Sequence, residues 1–374
     1  MDVEAARLCA REQQITAEWI ASHQQPSGEI LWSHGGKSDP WDHVHAAMGL
    51  TVLGRIDQAR AAYRFLACIQ EPNGAFAAER VGGCVTRISH ETNHAAYIAT
   101  GAWHFYCATG DVDFLAELWP TIERAVDWIV SLQLPSGAIA WAEKKGKVWR
   151  SPLITGTSSI HGSLVCAQRI AARLGHDRPT WRTAWRKVAR VLRHDIGVFY
   201  DTDLPEAPGR YSMDWYYPVL AGALRGVAGR ERLLDPELVS AFMHEGVGCR
   251  CVRDAPWYTI AETCELVLAL DALGQSERAR RVFGWTRRQR MDNGAYWTGA
   301  THPENVVFPE GEQTTWTASA VIIAQDALFA ESRTSSFFRD LDGHDLDRPA
   351  HEHDASVLRR KGGSQIDVPN SAAE

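Results

Sequence analysis

A five-residue phrase occurs three times in this chain and constrains its fold more than any other feature. It reads Gln-Gln-Pro-Ser-Gly at residues 24–28, Gln-Glu-Pro-Asn-Gly at 70–74 and Gln-Leu-Pro-Ser-Gly at 133–137, and a degenerate copy, Arg-Met-Asp-Asn-Gly, stands at 290–294. Proline cannot continue a helix, and glycine accepts the left-handed conformation that ends one. Each copy therefore predicts the end of a helix followed by a tight turn.

Two weaker stops, at residues 195–200 and 244–248, bring the number of turns to six. The successive turn glycines are 46, 63, 60, 49 and 48 residues apart, and each interval is long enough for two helices with their loops. Apolar residues recur at helical spacing in these intervals, for example across residues 46–68, which we predict as one helix. Few strands are expected, because no long stretch alternates with period two.

Six helical hairpins predict an all-α chain folded as an (α/α)6 barrel, which is a closed toroid. Residues 2–23 and 314–329 are lone helices at the two ends, and by pairing with each other they would supply the sixth hairpin. An irregular helical domain without closure is the alternative. We expect one catalytic domain over residues 1–330 and a polar, weakly ordered tail over residues 331–374, where apolar residues become scarce.

Composition and charge argue against several classes of function. A net charge of −7 gives a nucleic-acid partner no electrostatic support. No signal-like segment and no stretch that could span a bilayer is found, so we expect no membrane partner. Eight cysteines in such a chain indicate reduced thiols and a cytoplasmic location. Neither Cys249 and Cys251 nor the His-Glu-His-Asp cluster at 351–354 makes a convincing metal site, so no metal and no other cofactor is expected.

Packets of polar and aromatic residues follow the six turns, at residues 39–45, 90–94, 155–161, 212–217, 254–262 and 309–316. In a helical ring these loops would line one mouth, where aromatic faces beside polar groups suit sugar rings or an isoprenoid. Helix capping accounts for some of the polar residues, such as Asp39, Ser158 and Glu312. The candidate substrate-binding residues are Trp41, His43, Glu91, His94, Asp214, Trp215, Tyr216, Trp257, Glu312 and Trp316.

Two carboxylates in these packets are the candidate catalytic residues. Paired acids across a cleft can hydrolyse glycosidic bonds, because one protonates the leaving oxygen while the other activates water or attacks carbon. Glu262 follows several apolar residues that would raise its pKa, as an acid requires. Asp42 stands at an expected helix N-terminus, whose dipole would keep it ionised as a base. Asp214 and Glu91 are rivals, and Glu265 is expected to be a buried partner.

The repeated turns resemble those of the six-hairpin glycosidase superfamily, which contains the glucoamylase-like enzymes, over residues 4–330. Within it, the phrases at residues 40–43, 90–94, 213–218 and 308–317 are similar to those of the actinobacterial methylmannose-polysaccharide hydrolases. This resemblance implies an inverting, endo-acting α-mannosidase that cleaves a cytoplasmic methylmannose polysaccharide with Asp42 and Glu262 as its carboxylate pair. Inversion would place the two carboxyl groups about 6.5–9.5 Å apart.

Three other classes of function remain open. Terpenoid cyclases and prenyltransferases also use helical toroids, although this chain has no Asp-x-Asp-Asp run and no convincing Asp, Cys and His set for zinc. A non-catalytic carbohydrate-binding toroid would need the aromatic mouth but not two opposed acids. A lyase or epimerase of the same fold would use a histidine and a tyrosine, for which His94 and Tyr216 are candidates.

Overall fold

Thirteen α-helices form the framework of residues 7–200 and 208–346, the part of the chain that the computed structural model describes. They are α1 (Ala10–Ser22), α2 (Pro40–Val52), α3 (Ile56–Ile69), α4 (Thr92–Thr109), α5 (Val112–Ser131), α6 (Ile154–Arg173), α7 (Pro179–His194), α8 (Ser212–Leu220), α9 (Gly226–Leu233), α10 (Pro236–Phe242), α11 (Ile260–Ala272), α12 (Ser276–Trp285) and α13 (Thr315–Phe329). Within these ranges, no helix has the length and apolar character needed to cross a membrane.

Six of these helices lie in the interior. The helices α2, α4, α6, α8, α11 and α13 are buried along most of their length, because small and apolar residues cover every side of them. Each contacts the next in that order, and α13 contacts α2, so their contacts form a closed cycle. The helices α1, α3, α5, α7 and α12 each bury one face and pack outside this cycle.

The prediction of one helix over residues 46–68 is wrong, because α2 ends at Val52 and α3 begins at Ile56. Gly54 lies between them with a φ of 73°, a left-handed conformation that breaks the helix. The apolar period runs across the break because the two helices pack against each other and bury residues in the same core.

The repeated turn ties each outer helix to the following one. In the copy at 70–74, Gln70 donates from Nε2 to the carbonyl oxygens of Gly74 (3.0 Å) and of Thr121 in α5 (2.8 Å). Gln24 and Gln133 make the equivalent pair of bonds to their own turn and to the next outer helix. Glutamine at this position therefore satisfies two carbonyl groups at once, which explains why the phrase is repeated.

The first and last helices contact each other, as the sequence predicts. The backbone N–H of Leu8 donates to Gln325 Oε1 in α13 (2.7 Å), and Gln325 Nε2 donates back to the carbonyl oxygen of Leu8 (3.1 Å). The degenerate fourth turn also reaches α1, since Thr16 Oγ1 donates to the carbonyl oxygen of Gly294 (3.0 Å). The outer layer thus joins its last turn to its first helix.

Short strands lie in the loops between the turns and the interior helices, so the all-α prediction is incomplete. The strands are β1 (Lys37–Ser38), β2 (Glu79–Val81), β3 (Cys84–Arg87), β4 (His90–Glu91), β5 (Ala142–Lys144), β6 (Lys147–Trp149), β7 (Met243–His244), β8 (Gly248–Arg250), β9 (Trp257–Thr259), β10 (Trp297–Thr301) and β11 (Val307–Gln313). They form antiparallel sheets in the orders β1-β2-β3, β4-β5-β6 and β11-β10-β9-β8-β7. Most are too short for period-two alternation to reveal them.

Residues 331–346 pack against the helices. Phe337, Phe338 and Leu341 are buried in the hydrophobic core. This stretch therefore differs from the weakly ordered tail predicted for it, because three apolar side chains are enough to anchor a short polar segment. The rest of that prediction, including the 351–354 cluster, lies outside the described residues.

Candidate active site

The six packets of polar and aromatic residues all stand at the starts of the interior helices, α2, α4, α6, α8, α11 and α13. Hydrogen bonds join neighbouring packets across the rim. Thr155 at the start of α6 donates from N and Oγ1 to Asp214 Oδ1 at the start of α8 (3.1 and 2.7 Å). The N–H of Thr315 at the start of α13 donates to the carbonyl oxygen of Trp32, just ahead of α2 (2.9 Å).

Asp42 lies in the first turn of α2 and is 6 % exposed. Its N–H donates to Asp39 Oδ1 (2.9 Å), the helix cap, while its own Oδ2 is buried without a hydrogen-bond partner among the described residues. Burial raises the pKa of Asp42 well above its usual value, and the charges of Asp39, Glu265 and Glu262 add to this against the opposing charge of Lys37. Burial and neighbouring charges therefore act against the helix dipole, which was expected to keep Asp42 ionised.

Glu262 occupies the equivalent first turn of α11 and is 5 % exposed. Burial raises its pKa, while the nearby Thr259 hydroxyl, its own backbone N–H and the Cys251 thiol favour the ionised form and lower the pKa. Its Oε2 is likewise buried without a partner within the described part of the chain. Each acid thus offers one oxygen that protein groups leave free for a glycosidic oxygen, a sugar hydroxyl or a water.

Glu265 lies one helical turn beyond Glu262 and is 1 % exposed. Tyr216 donates its hydroxyl to Oε2 (2.5 Å), and Tyr217 donates to Oε1 (3.4 Å). Burial raises the pKa of Glu265 to about 8, and the charge of Glu262 adds to the rise, although the two tyrosine hydroxyls lower it. The structure places this residue as the buried partner expected from the sequence.

Aromatic rings surround Trp41, next to Asp42. Trp41 stacks on Tyr97 with 4.5 Å between ring centroids, and Tyr217 and His94 approach it at 5.7 and 6.3 Å. Sequence reasoning missed Tyr97 and Tyr217 as parts of the site. Tyr97 stands one turn after His94 on the same helix, and that spacing is the signal that could have found it.

Glu91 and His94 extend the site along the rim. Glu91 forms an ion pair with Arg87 (2.9 Å), lies 3.5 Å from His94 Nε2 and accepts a hydrogen bond from Trp141 Nε1 (3.4 Å). His94 Nδ1 is buried without a partner among the described residues. These side chains and Trp41 form one polar and aromatic edge of the site.

The side chains of three predicted binding residues are engaged in contacts within the protein. Both ring nitrogens of His43 bond to the backbone, to the N–H of Ile30 (3.0 Å) and the carbonyl oxygen of Ala62 (2.9 Å). Trp215 is 1 % exposed and packs in the core. Asp214 accepts hydrogen bonds at both carboxyl oxygens from neighbouring loops. The sequence pattern predicted that these side chains stand at the starts of interior helices. It could not distinguish side chains that bind a substrate from side chains that hold the fold together.

The remaining predicted residues lie at the rim. Trp257 stacks on Phe308 with ring centroids 4.2 Å apart, and Glu312 is partly exposed on β11. Trp316 stands in the first turn of α13, partly exposed, with its Nε1 buried and unpartnered within the described residues. Within residues 7–200 and 208–346, His, Cys, Asp and Glu form no group of three or more suited to a metal ion.

The chain is similar to characterised proteins along most of its length. It is 41 % identical over 327 residues to an MMP endo-(1,4)-3-O-methyl-alpha-D-mannosidase of Mycolicibacterium hassiacum, which covers 87 % of this chain and 89 % of that protein. No protein-family model matches it.

Solved structures resemble the fold. A wild-type glycosidase matches with a TM-score of 0.63 at 16 % identity, over 88 % of this chain and 99 % of that one. A mannosylglycerate hydrolase of Thermus thermophilus matches with a TM-score of 0.59 at 10 % identity, over 84 % and 99 %. A D-mannose isomerase matches equally well, with a TM-score of 0.63 at 10 % identity over 86 % and 96 %. At such low identity these matches concern the fold alone.

Proposed function

The chain belongs to the family of the MMP endo-(1,4)-3-O-methyl-alpha-D-mannosidases, and from that premise we propose that it cleaves an α-1,4-linked, 3-O-methylated mannan internally by an inverting mechanism. Membership of this family makes the chain a glycoside hydrolase. The observation that carries the proposal is the pair of buried acids, Asp42 and Glu262, each at the start of an interior helix and each with one unpartnered oxygen. Neither the isoprenoid nor the non-catalytic alternative has support from the relatives.

We propose that Asp42 is the acid and Glu262 the base, the reverse of the assignment expected from the sequence. Burial and nearby carboxylates raise the pKa of Asp42 well above its usual value, which favours the protonated form that an acid needs. The pKa of Glu262 rises less, because the nearby Thr259 hydroxyl and Cys251 thiol favour its ionised form. Asp42 would protonate the glycosidic oxygen while Glu262 takes a proton from the water that attacks the anomeric carbon.

Trp41, Glu91, His94, Trp257, Glu312 and Trp316 are the substrate-binding residues of this proposal, and Tyr216 acts on the site through Glu265. Methyl ethers and sugar faces are less hydrated than free hydroxyls, so the ring of Trp41 suits a methylated chain. Glu91 and His94 are placed beside it to bond the remaining hydroxyls. His43, Asp214 and Trp215 serve as anchors instead.

We also infer that the closed cycle of interior helices is the inner ring of an (α/α)6 barrel, with the short sheets as its rim. The contact from α13 back to α2 and the likeness to solved glycosidases support this inference. A cytoplasmic location belongs to the same proposal. All eight cysteines are unpaired, as is usual in a reducing compartment.

Replacing each acid separately tests the pair and its roles. Asp42→Asn and Glu262→Gln should each lower turnover of the methylated mannan by about 10²–10⁴-fold. An oligosaccharyl fluoride needs no proton on its leaving group, so Asp42→Asn should still hydrolyse it whereas Glu262→Gln should not. The opposite pattern would restore the assignment expected from the sequence, and wild-type turnover of the mannan by either variant would remove that residue from the mechanism.

Product analysis tests the substrate and the stereochemistry. Proton NMR during hydrolysis should show the β-anomer of the new reducing end first, because inversion of an α-linkage yields it. Early products should be oligosaccharides of several lengths rather than monosaccharides. Early α-anomer would mean retention, and no cleavage of the methylated mannan would reject the proposed substrate.

A further inference from the structure

A cavity of about 410 Å³ opens beside the five-stranded sheet, and none of the acids Asp42, Glu262 and Glu265 lines it. It lies between β9 and β10 on one side and the end of α12 on the other, and its wall includes Tyr258, Trp285, Arg288, Trp297, His302 and Asn305. Its volume falls within the range of about 300–1,000 Å³ that is usual for small-molecule pockets.

The cavity shares no lining residue with the proposed catalytic and substrate-binding side chains, although Thr259 and Ile260, just ahead of Glu262, line it. Tyr258 lies opposite Ala300 of β10, and both line the cavity. Trp257, the preceding residue, does not line it and stacks on Phe308 instead (4.2 Å). Successive side chains of a strand point to opposite faces. Tyr258 therefore presents its ring to the cavity, while Trp257 points to the other face of the strand.

The lining combines aromatic faces with planar polar groups. Trp297 is partly exposed and Trp285 is largely buried, so the indoles present apolar surface to the cavity. The exposed guanidinium of Arg288 donates to the carbonyl oxygen of Gly246 (2.6 Å) and has further N–H groups to offer. Asn305 adds an amide at the mouth. Apolar faces with a few convergent donors and acceptors are the chemistry that recognises a saccharide.

We propose that this cavity is a second, non-catalytic saccharide site that holds a distal stretch of the same polysaccharide whose cleavage is proposed above. An endo-acting enzyme cuts within a long chain, so its substrate extends beyond the cleft. The cavity reaches Ile260 at the start of α11, two residues ahead of Glu262. Binding there would raise the local concentration of the chain at the cleft without touching the reacting atoms.

Kinetics on substrates of two lengths tests the proposal. Trp297→Ala and Arg288→Ala should each raise KM for long 3-O-methylated α-1,4-mannan several-fold, with kcat unchanged. Both should leave kcat/KM unchanged for the shortest fragment that the wild type cleaves. Val306→Ala provides the matched control, since Val306 is exposed on the same hairpin but does not line the cavity.

Direct binding separates this proposal from the proposed function. Full-length Asp42→Asn protein, titrated with long mannan and followed by tryptophan fluorescence, should lose affinity when Trp297→Ala is added and keep it with Val306→Ala. Wild-type KM on long chains in both cavity variants would overturn the second site, as would equal losses on long and short substrates. A wild type that cleaves no mannan rejects the proposed function instead, and the titration still decides whether the cavity binds the saccharide.

Discussion

Three buried carboxyl groups, those of Asp42, Glu262 and Glu265, influence one another's ionisation at the starts of α2 and α11. Neighbouring buried acids cannot all be charged, because each negative charge raises the pKa of the others. Glu265, with its pKa of about 8, keeps its proton at neutral pH. In that form Glu265 adds no negative charge beside Asp42.

The pH dependence of the protein's stability should reveal the proton that Glu265 holds. The pKa of Glu265 is 4.5 in an ordinary setting and about 8 in the folded protein. The contribution of Glu265 to the free energy of unfolding is therefore complete below pH 4.5 and is lost as the pH rises towards 8. We predict that the free energy of unfolding of the wild type, relative to Glu265→Gln, falls across this window by a few kcal/mol. Urea unfolding at a series of pH values measures it.

An exposed carboxylate supplies the control for this measurement. Glu310→Gln removes a charge at an exposed position of β11, and its difference from the wild type should stay nearly constant over the same pH range. If Glu265→Gln also gave a constant difference, Glu265 would be ionised throughout. The acids would then have to share their protons in another way.

At the scale of single residues, the sequence predicted where the candidate site residues lie better than it predicted what each of them does. Asp42 and Glu262 could be proposed from the sequence because each stands in a polar and aromatic packet at a helix start. Their ionisation could not be predicted, because it depends on burial and on charges that come from separate segments of the chain. The backbone contacts of His43 could not be predicted either, since its two partners lie 13 and 19 residues away.

The glycine of the repeated turn lies close to the outer helix that packs against the turn. A Cβ added at Gly74 would overlap the carbonyl oxygen of Arg124 in α5, and one at Gly28 would overlap that of Ala61 in α3. Both glycines also have positive φ, 95° and 94°. Glycine is therefore required twice over, by its own conformation and by the close approach of the next outer helix.

Alanine at Gly74 should consequently cost more than the same change at Gly110. Gly110 has a φ of 73° and nothing within 4 Å of its added Cβ, so Gly110→Ala measures conformational strain alone, roughly 1–2 kcal/mol. Gly74→Ala should lose about 1–3 kcal/mol beyond that from the clash. Chemical unfolding of the two variants gives the difference, and equal losses would show that the helices move apart freely.

Helix ends were predictable because proline and glycine act locally, whereas the sheets were not. Strands such as β5 and β6 have three residues each, and pairing partners rather than periodicity define them. The break at Gly54 was missed because the apolar period of α2 runs on into α3. Local signals therefore predict where helices end but not the sheets that the loops between them form.

At the scale of the molecule, the two ends of the helical cycle differ. The acids and aromatic packets occupy the starts of the interior helices, while residues 331–346 cross their other ends. Phe337 packs edge-on against His104 near the end of α4 (5.0 Å), and Arg339 pairs with Asp271 at the end of α11. Arg169 of α6 pairs with Asp345 (2.7 Å). This segment closes the cycle opposite the site.

Truncation tests whether the closing segment holds the cycle together. A chain that ends at Glu331 loses three buried apolar side chains, Phe337, Phe338 and Leu341, each contributing roughly 1.5–3 kcal/mol. We expect its free energy of unfolding to fall by several kcal/mol, with mannan hydrolysis lost at lower temperature. A chain that ends at Leu346 keeps every contact of the segment and should match the full-length protein. If ending at Glu331 changed nothing, the helices alone would carry the fold, and the core positions of the two phenylalanines would be incidental.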